Sequence, residues 1–270
     1  MLLLFFRWDI ATNSVDCVNA CKGHERSVDC IAVDSSKSLL ASGSFDTNLK
    51  IWDAALQSPS SRGDDDEDES ERKRAKSSNS LIPRDKAVTR TPMMTLAGHK
   101  EGISGVVWMD NKTEVCTASW DHTIKIWDTE LGGMKQELVG NKSFFDVAYS
   151  KQSKLLITAA AERSLRLYDP RSTDGLLVKS AYTSHTGWVT CCDWRGEGDI
   201  QFLSGSHDGV LKMWDLRSFK TPLFDLSGHT DRILCCDWSC GEYAISGGAD
   251  NDMKIFKTSE LVTGSVHVNL

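Results

Sequence analysis

One pattern recurs five times along the chain and constrains its fold more than any other feature. An acidic residue stands six positions before an aromatic residue, and a serine or threonine stands four positions before that acid. Short alternating runs such as 27–33, 39–44 and 48–52, separated by turn residues, predict several short strands in each repeat. Recurrence of one such unit predicts a chain built from stacked copies of it. The acid and aromatic pairs are Asp46/Trp52, Asp121/Trp127, Glu162/Tyr168, Asp208/Trp214 and Asp250/Phe256.

Two dipeptides accompany this pattern. Gly-His occurs at 23–24, 98–99 and 228–229, and Trp-Asp occurs at 52–53, 127–128 and 214–215. With these motifs the chain resembles the WD-repeat family, which implies an all-β propeller of four-stranded blades. We predict a WD-repeat β-propeller over 1–270 with five recognisable blades and an incomplete one from the leading strands, as part of a seven-bladed design. An incomplete ring exposes strand edges and apolar faces, so we also predict poor solubility of the isolated chain.

The resemblance implies a hydrogen-bonded set of four side chains in each blade. In the family the acid accepts a hydrogen bond from the histidine, and the serine or threonine hydroxyl forms hydrogen bonds with both the imidazole and the indole. These bonds are needed because buried N–H groups require partners. The third repeat lacks the histidine, and the fifth has Phe256 in place of tryptophan, so both should have weaker networks. The implied structural sets are His24, Ser42, Asp46 and Trp52; His99, Thr117, Asp121 and Trp127; His185, Ser204, Asp208 and Trp214; and His229, Ser246 and Asp250.

Composition and motifs argue against an enzyme. Recurring His, Asp and Ser could suggest a hydrolase, but packing accounts for the repeated set, and we find no nucleophile elbow, phosphate loop or metal cluster. The formal net charge of −7 gives no general attraction to nucleic acid. The nine cysteines lack the paired spacings of a zinc site and predict reduced structural thiols. We predict a soluble intracellular protein with no catalytic residues, cofactor, metal, membrane association or small-molecule substrate.

Residues 58–90 interrupt the repeat spacing. An acidic run at 64–69 precedes a basic cluster, and apolar residues are almost absent. Such a segment cannot offset the entropy of ordering, so it is predicted to be a disordered acidic-basic insertion within the propeller. The basic cluster is a candidate nuclear-import signal, and an RNA contact or a plain solvated loop are the alternatives. Its residues are Arg72, Lys73, Arg74 and Lys76.

Beyond the generic repeat, the segments ASWDHTI at 118–124, GNKSF at 140–144 and TSHTGWVT at 183–190 are distinctive. With the insertion, they resemble the WD-repeat subunits of the PeBoW complex. That resemblance implies a scaffold in large ribosomal subunit biogenesis and rRNA maturation, located in the nucleolus and nucleoplasm. It implies pescadillo-like and block-of-proliferation-like proteins and the pre-60S particle as partners, with at most an indirect rRNA contact. We expect the chain to match the carboxy-terminal part of such proteins, without their ubiquitin-like domain.

Two other functions remain open from the residues alone. The stretches 168–171 and 214–217 match the short WDxR-type box of substrate receptors for cullin-RING ubiquitin ligases. A signalling scaffold like the heterotrimeric G-protein β subunit is the third possibility. The acidic-basic insertion favours the ribosomal function over both.

Positions near each histidine and acid are the candidates for partner binding. In the family the residues three and five after the histidine, and the one before the acid, point outward on one face. Large aromatic residues at these positions have no packing role there and favour an interface. The alternative is that each ring folds onto its own blade. The candidates are Phe45, Trp120, Trp188, His207 and Arg232.

Overall fold

A computed structural model describes residues 2–9, 14–54, 88–110, 113–172, 178–196 and 200–258. Every helix or strand assigned in these ranges is a strand, and the strands form six sheets, five of which follow one another as blades. The all-β WD-repeat propeller predicted from the sequence is therefore confirmed. The strands are, in blade 1, β3 Val28–Val33, β4 Leu39–Ser44, β5 Asn48–Asp53 and β7 Met94–Ala97; in blade 2, β8 Ile103–Trp108, β9 Glu114–Ser119, β10 Thr123–Asp128 and β11 Gly133–Val139; in blade 3, β12 Phe144–Ser150, β13 Leu155–Ala160, β14 Ser164–Tyr168 and β15 Val178–Thr183; in blade 4, β16 Val189–Trp194, β17 Gln201–Ser206, β18 Val210–Asp215 and β19 Phe224–Ser227; and in blade 5, β20 Ile233–Asp237, β21 Tyr243–Gly248 and β22 Met253–Lys257.

Within a blade the strands are antiparallel neighbours in chain order. In blades 2 to 4 the second and third strands are buried on both faces, because each of these blades packs between two others. This explains why the second and third strands consist mostly of apolar or small residues, whereas apolar and polar residues alternate more clearly in the first strand. The fourth strand of each complete blade ends directly before the next histidine position, so a sequence repeat contributes to two blades.

A sixth sheet precedes blade 1. It contains β1 (Leu2–Asp9), β2 (Ser14–Lys22) and β6 (Val88–Arg90), with β2 in the centre. β2 ends just before Gly23 and His24, so it has the sequence position of a fourth strand, and β1 has that of a third strand. The predicted incomplete blade from the leading strands is present.

The insertion predicted at residues 58–90 has an ordered strand at its carboxy-terminal end. Residues 88–90 form β6, which pairs in parallel with β2, and the Arg90 guanidinium donates to Asn19 Oδ1 at 3.1 Å and to Asp53 Oδ2 at 2.5 Å. These bonds order the end of a segment whose composition alone predicts disorder. The rest of the insertion, with the candidate import residues Arg72, Lys73, Arg74 and Lys76, lies outside the described residues.

The hydrophobic core is distributed over the junctions between blades. At the junction of blades 1 and 2, Leu49 and Ile51 of β5 pack with Ile103 and Trp108 of β8, and all four are buried. The same arrangement joins blades 4 and 5. Each blade is therefore stabilised by apolar contact with its neighbours as well as by its own sheet.

Close approach at these junctions predicts the effect of an added methyl group. A Cβ at Gly205 would lie 2.6 Å from Cys191 Sγ and 2.6 Å from Ile233 Cγ2 of the next blade. Gly205→Ala should lower the free energy of unfolding by about 1–3 kcal/mol, because the blades cannot separate without losing contacts. Gly133→Ala is the matched control, since a Cβ there meets nothing within 4 Å. Urea denaturation of both variants tests this, and equal midpoints for the two would contradict it.

Candidate functional site

The loops that carry the histidines and acids lie on one face of the propeller, here called the His–Asp face. In blade 2, His99 Nδ1 lies 2.8 Å from Asp121 Oδ2, His99 Nε2 lies 2.8 Å from Thr117 Oγ1, and Trp127 Nε1 donates to the same hydroxyl at 2.8 Å. These distances join the four side chains in one continuous chain of hydrogen bonds. The equivalent sets around His24 and His185 have bonds of 2.8–2.9 Å.

The electrostatics of this set fix its protonation. Burial lowers the pKa of His99, so the imidazole is neutral at pH 7 and donates from Nδ1 to the carboxylate. Burial acts to raise the pKa of Asp121, but hydrogen bonds from Thr123, the Lys100 N–H and His99 outweigh it and hold that pKa at about 2. With Nε2 occupied by Thr117 and the carboxylate saturated, the set holds two loops together and has no free base for catalysis.

Blades 3 and 5 depart from this set as their sequences indicate. In blade 3, Glu162 forms a two-pronged ion pair with Arg166, at 2.6 and 2.8 Å, in place of the bond to a histidine. In blade 5, His229 contacts Asp250 and Ser246 at 2.9 Å, while Phe256 has no N–H to donate to that hydroxyl.

The outward positions bring aromatic rings together in two clusters. Phe45 of blade 1 packs edge-on against Trp120 of blade 2 with ring centroids 4.9 Å apart. Trp188 of blade 4 lies 5.6 Å from the ring of His207 and 6.3 Å from the ring of Phe145 in blade 3. Trp120 is 38% exposed and Trp188 is 51% exposed. Each ring therefore contacts a neighbouring ring and still presents apolar surface to solvent. The structure lies between the two alternatives from the sequence, a fully outward ring and a ring folded onto its own blade. Arg232 lies exposed on blade 5, outside both clusters.

Phe145 was missed from the sequence for a definable reason. Outward positions are counted from the histidine, and the third repeat has Gly140 and Asn141 where the histidine would be. Counting from Phe144, which has the register of Val189 at the start of the first strand, places Phe145 at the position of Thr190. We call the five rings of Phe45, Trp120, Phe145, Trp188 and His207 the aromatic patch.

Two carboxylates connect first strands of successive blades. Asp146 of blade 3 accepts from the Cys192 N–H of blade 4 at 3.0 Å, and Asp193 of blade 4 accepts from the Trp238 N–H of blade 5 at 2.7 Å. Desolvation raises the pKa of Asp146 to about 7, with a contribution from Asp193, and desolvation raises the pKa of Asp193 to about 6. Each is thus an acidic latch between blades.

The raised pKa of Asp146 predicts a pH-dependent stability. The unfolded pKa is about 3.9, so this carboxyl stabilises the folded state most below that pH and loses the contribution as pH rises through about 7. The Asp146→Asn variant has no carboxyl group to protonate, so its stability gains nothing from this position as the pH falls. The unfolding free energy of the variant minus that of the native chain should therefore become more negative from pH 8 to pH 5. Urea titrations across that range measure the difference, and a constant difference would contradict a raised pKa for Asp146.

Other kinds of site find little support in the part of the chain described. No three His, Cys, Asp or Glu side chains in those ranges converge as a metal ion would require. The same ranges contain no helix that is long and apolar enough to cross a membrane.

Comparison with known proteins agrees with this architecture. The family described as "WD domain, G-beta repeat" matches residues 15–53, 90–128, 176–215 and 220–257. These four matches cover more than half of the chain, and the chain belongs to this family of WD-repeat propellers. The segment between the second and third matches holds most of blade 3, where the histidine is missing.

More particularly, the chain is similar to proteins named "Ribosome biogenesis protein WDR12 homolog". It is 50% identical to the one from Culex quinquefasciatus over 97% of this chain and 59% of that protein. It is 48% identical to those from Anopheles gambiae and Ixodes scapularis, over 95% and 94% of this chain and 56% and 59% of theirs. The chain thus spans less than two thirds of the length of these relatives.

Proposed function

We propose that the protein is a non-catalytic interaction scaffold in ribosome biogenesis, acting in maturation of the large subunit and its rRNA. The observation that carries the scaffold function is the aromatic patch on the His–Asp face. Trp188 is 51% exposed although its blade has a complete polar set and a filled core beneath it. Partly exposed aromatic rings that cluster across blades are the kind of anchor that dominates protein interfaces. The process follows from the name of the similar proteins.

The partners proposed are pescadillo-like and block-of-proliferation-like proteins on the pre-60S particle, in the nucleolus and nucleoplasm. The acidic net charge of −7 supports protein contacts over direct rRNA contacts. Any approach to rRNA would then be indirect, through the bound partners.

A second candidate is a substrate receptor of a cullin-RING ligase. Arg217 forms a two-pronged ion pair with Asp215, at 2.8 and 2.6 Å, and its side chain is 76% exposed. Arg171 pairs with Asp169 in the same way. An exposed, pre-oriented guanidinium on each of two blades is suited to docking on an adaptor protein. These arginines lie in the loops between third and fourth strands, away from the aromatic patch.

One experiment separates the two functions. The full chain carrying an affinity tag is purified from nuclear extract, and its partners are identified by mass spectrometry. Recovery of the two partners with pre-60S proteins supports the scaffold. Recovery of a ligase adaptor from the native chain, but not from the Arg217→Ala variant, would support the second candidate in place of the scaffold. Recovery of neither group would contradict both.

A further inference from the structure

A basic side chain occupies the same position on the third strand of each of the five blades. It pairs across the sheet with the serine or threonine of the repeat pattern, as Lys50 does with Ser42 and Lys125 with Thr117. Lys50 is 8% exposed and Lys125 is 4% exposed, and burial of an ammonium group costs free energy unless an acceptor compensates it. The five basic residues are Lys50, Lys125, Arg166, Lys212 and Lys254.

In blades 2 to 5 the acceptor is a carboxylate. Lys125 forms an ion pair with Glu137, which lies directly opposite it on the fourth strand. Lys212 forms the equivalent pair with Asp225 at 2.7 Å. In blades 3 and 5 the acid comes from the loop before the third strand, and these acids are Glu162 and Asp252. Blades 2 and 4 thus share one arrangement, a buried lysine opposite an exposed acid on the outer strand.

Blade 1 has the lysine of this arrangement and a hydroxyl in place of the acid. Lys50 lies opposite Thr95 of β7, and its Nζ donates to Thr95 Oγ1 at 2.9 Å. Thr95 therefore has the register at which the outer strands of blades 2 and 4 carry Glu137 and Asp225. Within the described residues no carboxylate forms an ion pair with Lys50. A neutral group stands where the matching blades have a negative charge.

Thr95 also lies where an enzyme can reach it. The residue is exposed, and β7 is the outer strand of blade 1. β7 has four residues, and within the described part of the chain its neighbour in the sheet is β5. A short edge strand is already extended and opens locally at a lower cost than an inner strand. The hydroxyl is therefore available for modification without unfolding of the blade.

We propose that Thr95 is a phosphorylation site and that its phosphate supplies Lys50 with a negative partner. The Thr95 hydroxyl oxygen attacks the γ-phosphorus of a nucleoside triphosphate held by a protein kinase. A P–O bond to Thr95 forms, the bond from the γ-phosphorus to the bridging oxygen breaks, and the nucleoside diphosphate leaves. The hydroxyl proton passes to the base of the kinase. This inference does not rest on the proposed ribosomal function.

The phosphate fastens the outer strand of blade 1 to its sheet. At pH 7 it carries a charge between about −1.5 and −2 and offers three acceptor oxygens. Lys50 Nζ then has a charge-assisted hydrogen bond across β5 and β7 in place of the bond to a neutral hydroxyl. Blade 1 gains the kind of ion pair that Lys125 and Glu137 form in blade 2.

Mass spectrometry tests the site on the full chain. The chain is incubated in nuclear extract with ATP and phosphatase inhibitors, repurified and digested with trypsin. Cleavage after Arg90 and Lys100 releases the peptide 91–100, which contains Thr91 and Thr95. Fragment ions separate the two, and Thr91 is the internal control because it is exposed and precedes β7. Phosphate on Thr95 supports the proposal. An unmodified peptide, or phosphate on Thr91 alone, overturns it.

Substitutions test the role of Lys50. Thr95→Glu gives blade 1 the pair of blade 2 and should raise the melting temperature of the full chain by about 2 °C. The rise should disappear when Lys50→Met is present in both chains compared, and Thr91→Glu should give no rise. The phosphorylated chain should likewise melt above the same chain after phosphatase treatment. The absence of any rise, or a rise that persists without Lys50, overturns the proposed partnership. If circular dichroism shows that Lys50→Met is unfolded, Lys50→Gln replaces it.

Discussion

Replacing Asp121 with alanine is expected to lower the free energy of unfolding by about 2–3 kcal/mol. Its carboxylate accepts hydrogen bonds from the His99 imidazole, the Lys100 N–H, and the N–H and hydroxyl of Thr123. Alanine leaves the buried imidazole N–H without its carboxylate and frees the loop that begins at Lys100. Urea denaturation at pH 7 measures the loss.

Glu162→Ala is the matched control in blade 3. Glu162 pairs with Arg166, whose side chain is 31% exposed, and water can replace that partner. The expected loss is about 0–1 kcal/mol, the usual value for an exposed ion pair. Equal shifts of the denaturation midpoint in the two variants would contradict the assignment of Asp121 to a histidine-centred set.

Replacing Trp188 with alanine is expected to weaken binding to the block-of-proliferation-like partner by about 2 kcal/mol, or roughly 30-fold. Half of this ring faces solvent, so its removal should cost binding far more than folding. Trp120→Ala should weaken binding similarly, with some loss of stability because Trp120 packs on Phe45 at 4.9 Å. Calorimetric titration of the purified partner, with melting temperatures for each variant, provides the measurement.

Leu131→Ala serves as the control for binding. Leu131 is 85% exposed, and it lies between the third and fourth strands of blade 2, at the opposite end of the blade from the His–Asp face. It should bind as the native chain does. Full binding by the Trp188 variant, or a fall in stability that parallels the fall in binding, would place the interface elsewhere.

Much of the fold could be predicted from the sequence because its repeats are regular. The acid-to-aromatic spacing fixes the turn between second and third strands, and strands predicted at 39–44 and 48–52 are found at Leu39–Ser44 and Asn48–Asp53. The His24 and His99 sets form as the family resemblance implies. These features are local, since each depends on residues within one repeat.

Contacts between repeats could not be predicted in the same way. β6 pairs with β2, and Arg90 at its end reaches Asn19 and Asp53, which lie far away in sequence. The ring of Phe145 joins Trp188 across two blades, although its own repeat lacks the histidine from which the position is counted. The latches of Asp146 and Asp193 depend on how closely first strands approach one another. Such pairings follow from the stacking of blades, which repeat spacing does not specify.

The offset between sequence repeat and blade has a consequence for modularity. Each repeat begins with the outer strand of the preceding blade, so excising one whole repeat, from a point in β7 to the same point in β11, would bring β11 onto β5 in place of β7. Blades 1 and 3 would each keep four strands. Excising β8 to β11, with both cuts between blades, also removes four whole strands and leaves blades 1 and 3 complete. Gene duplication and recombination could therefore lengthen or shorten such a protein by whole units, provided that the two breakpoints fall at equivalent positions of the repeat.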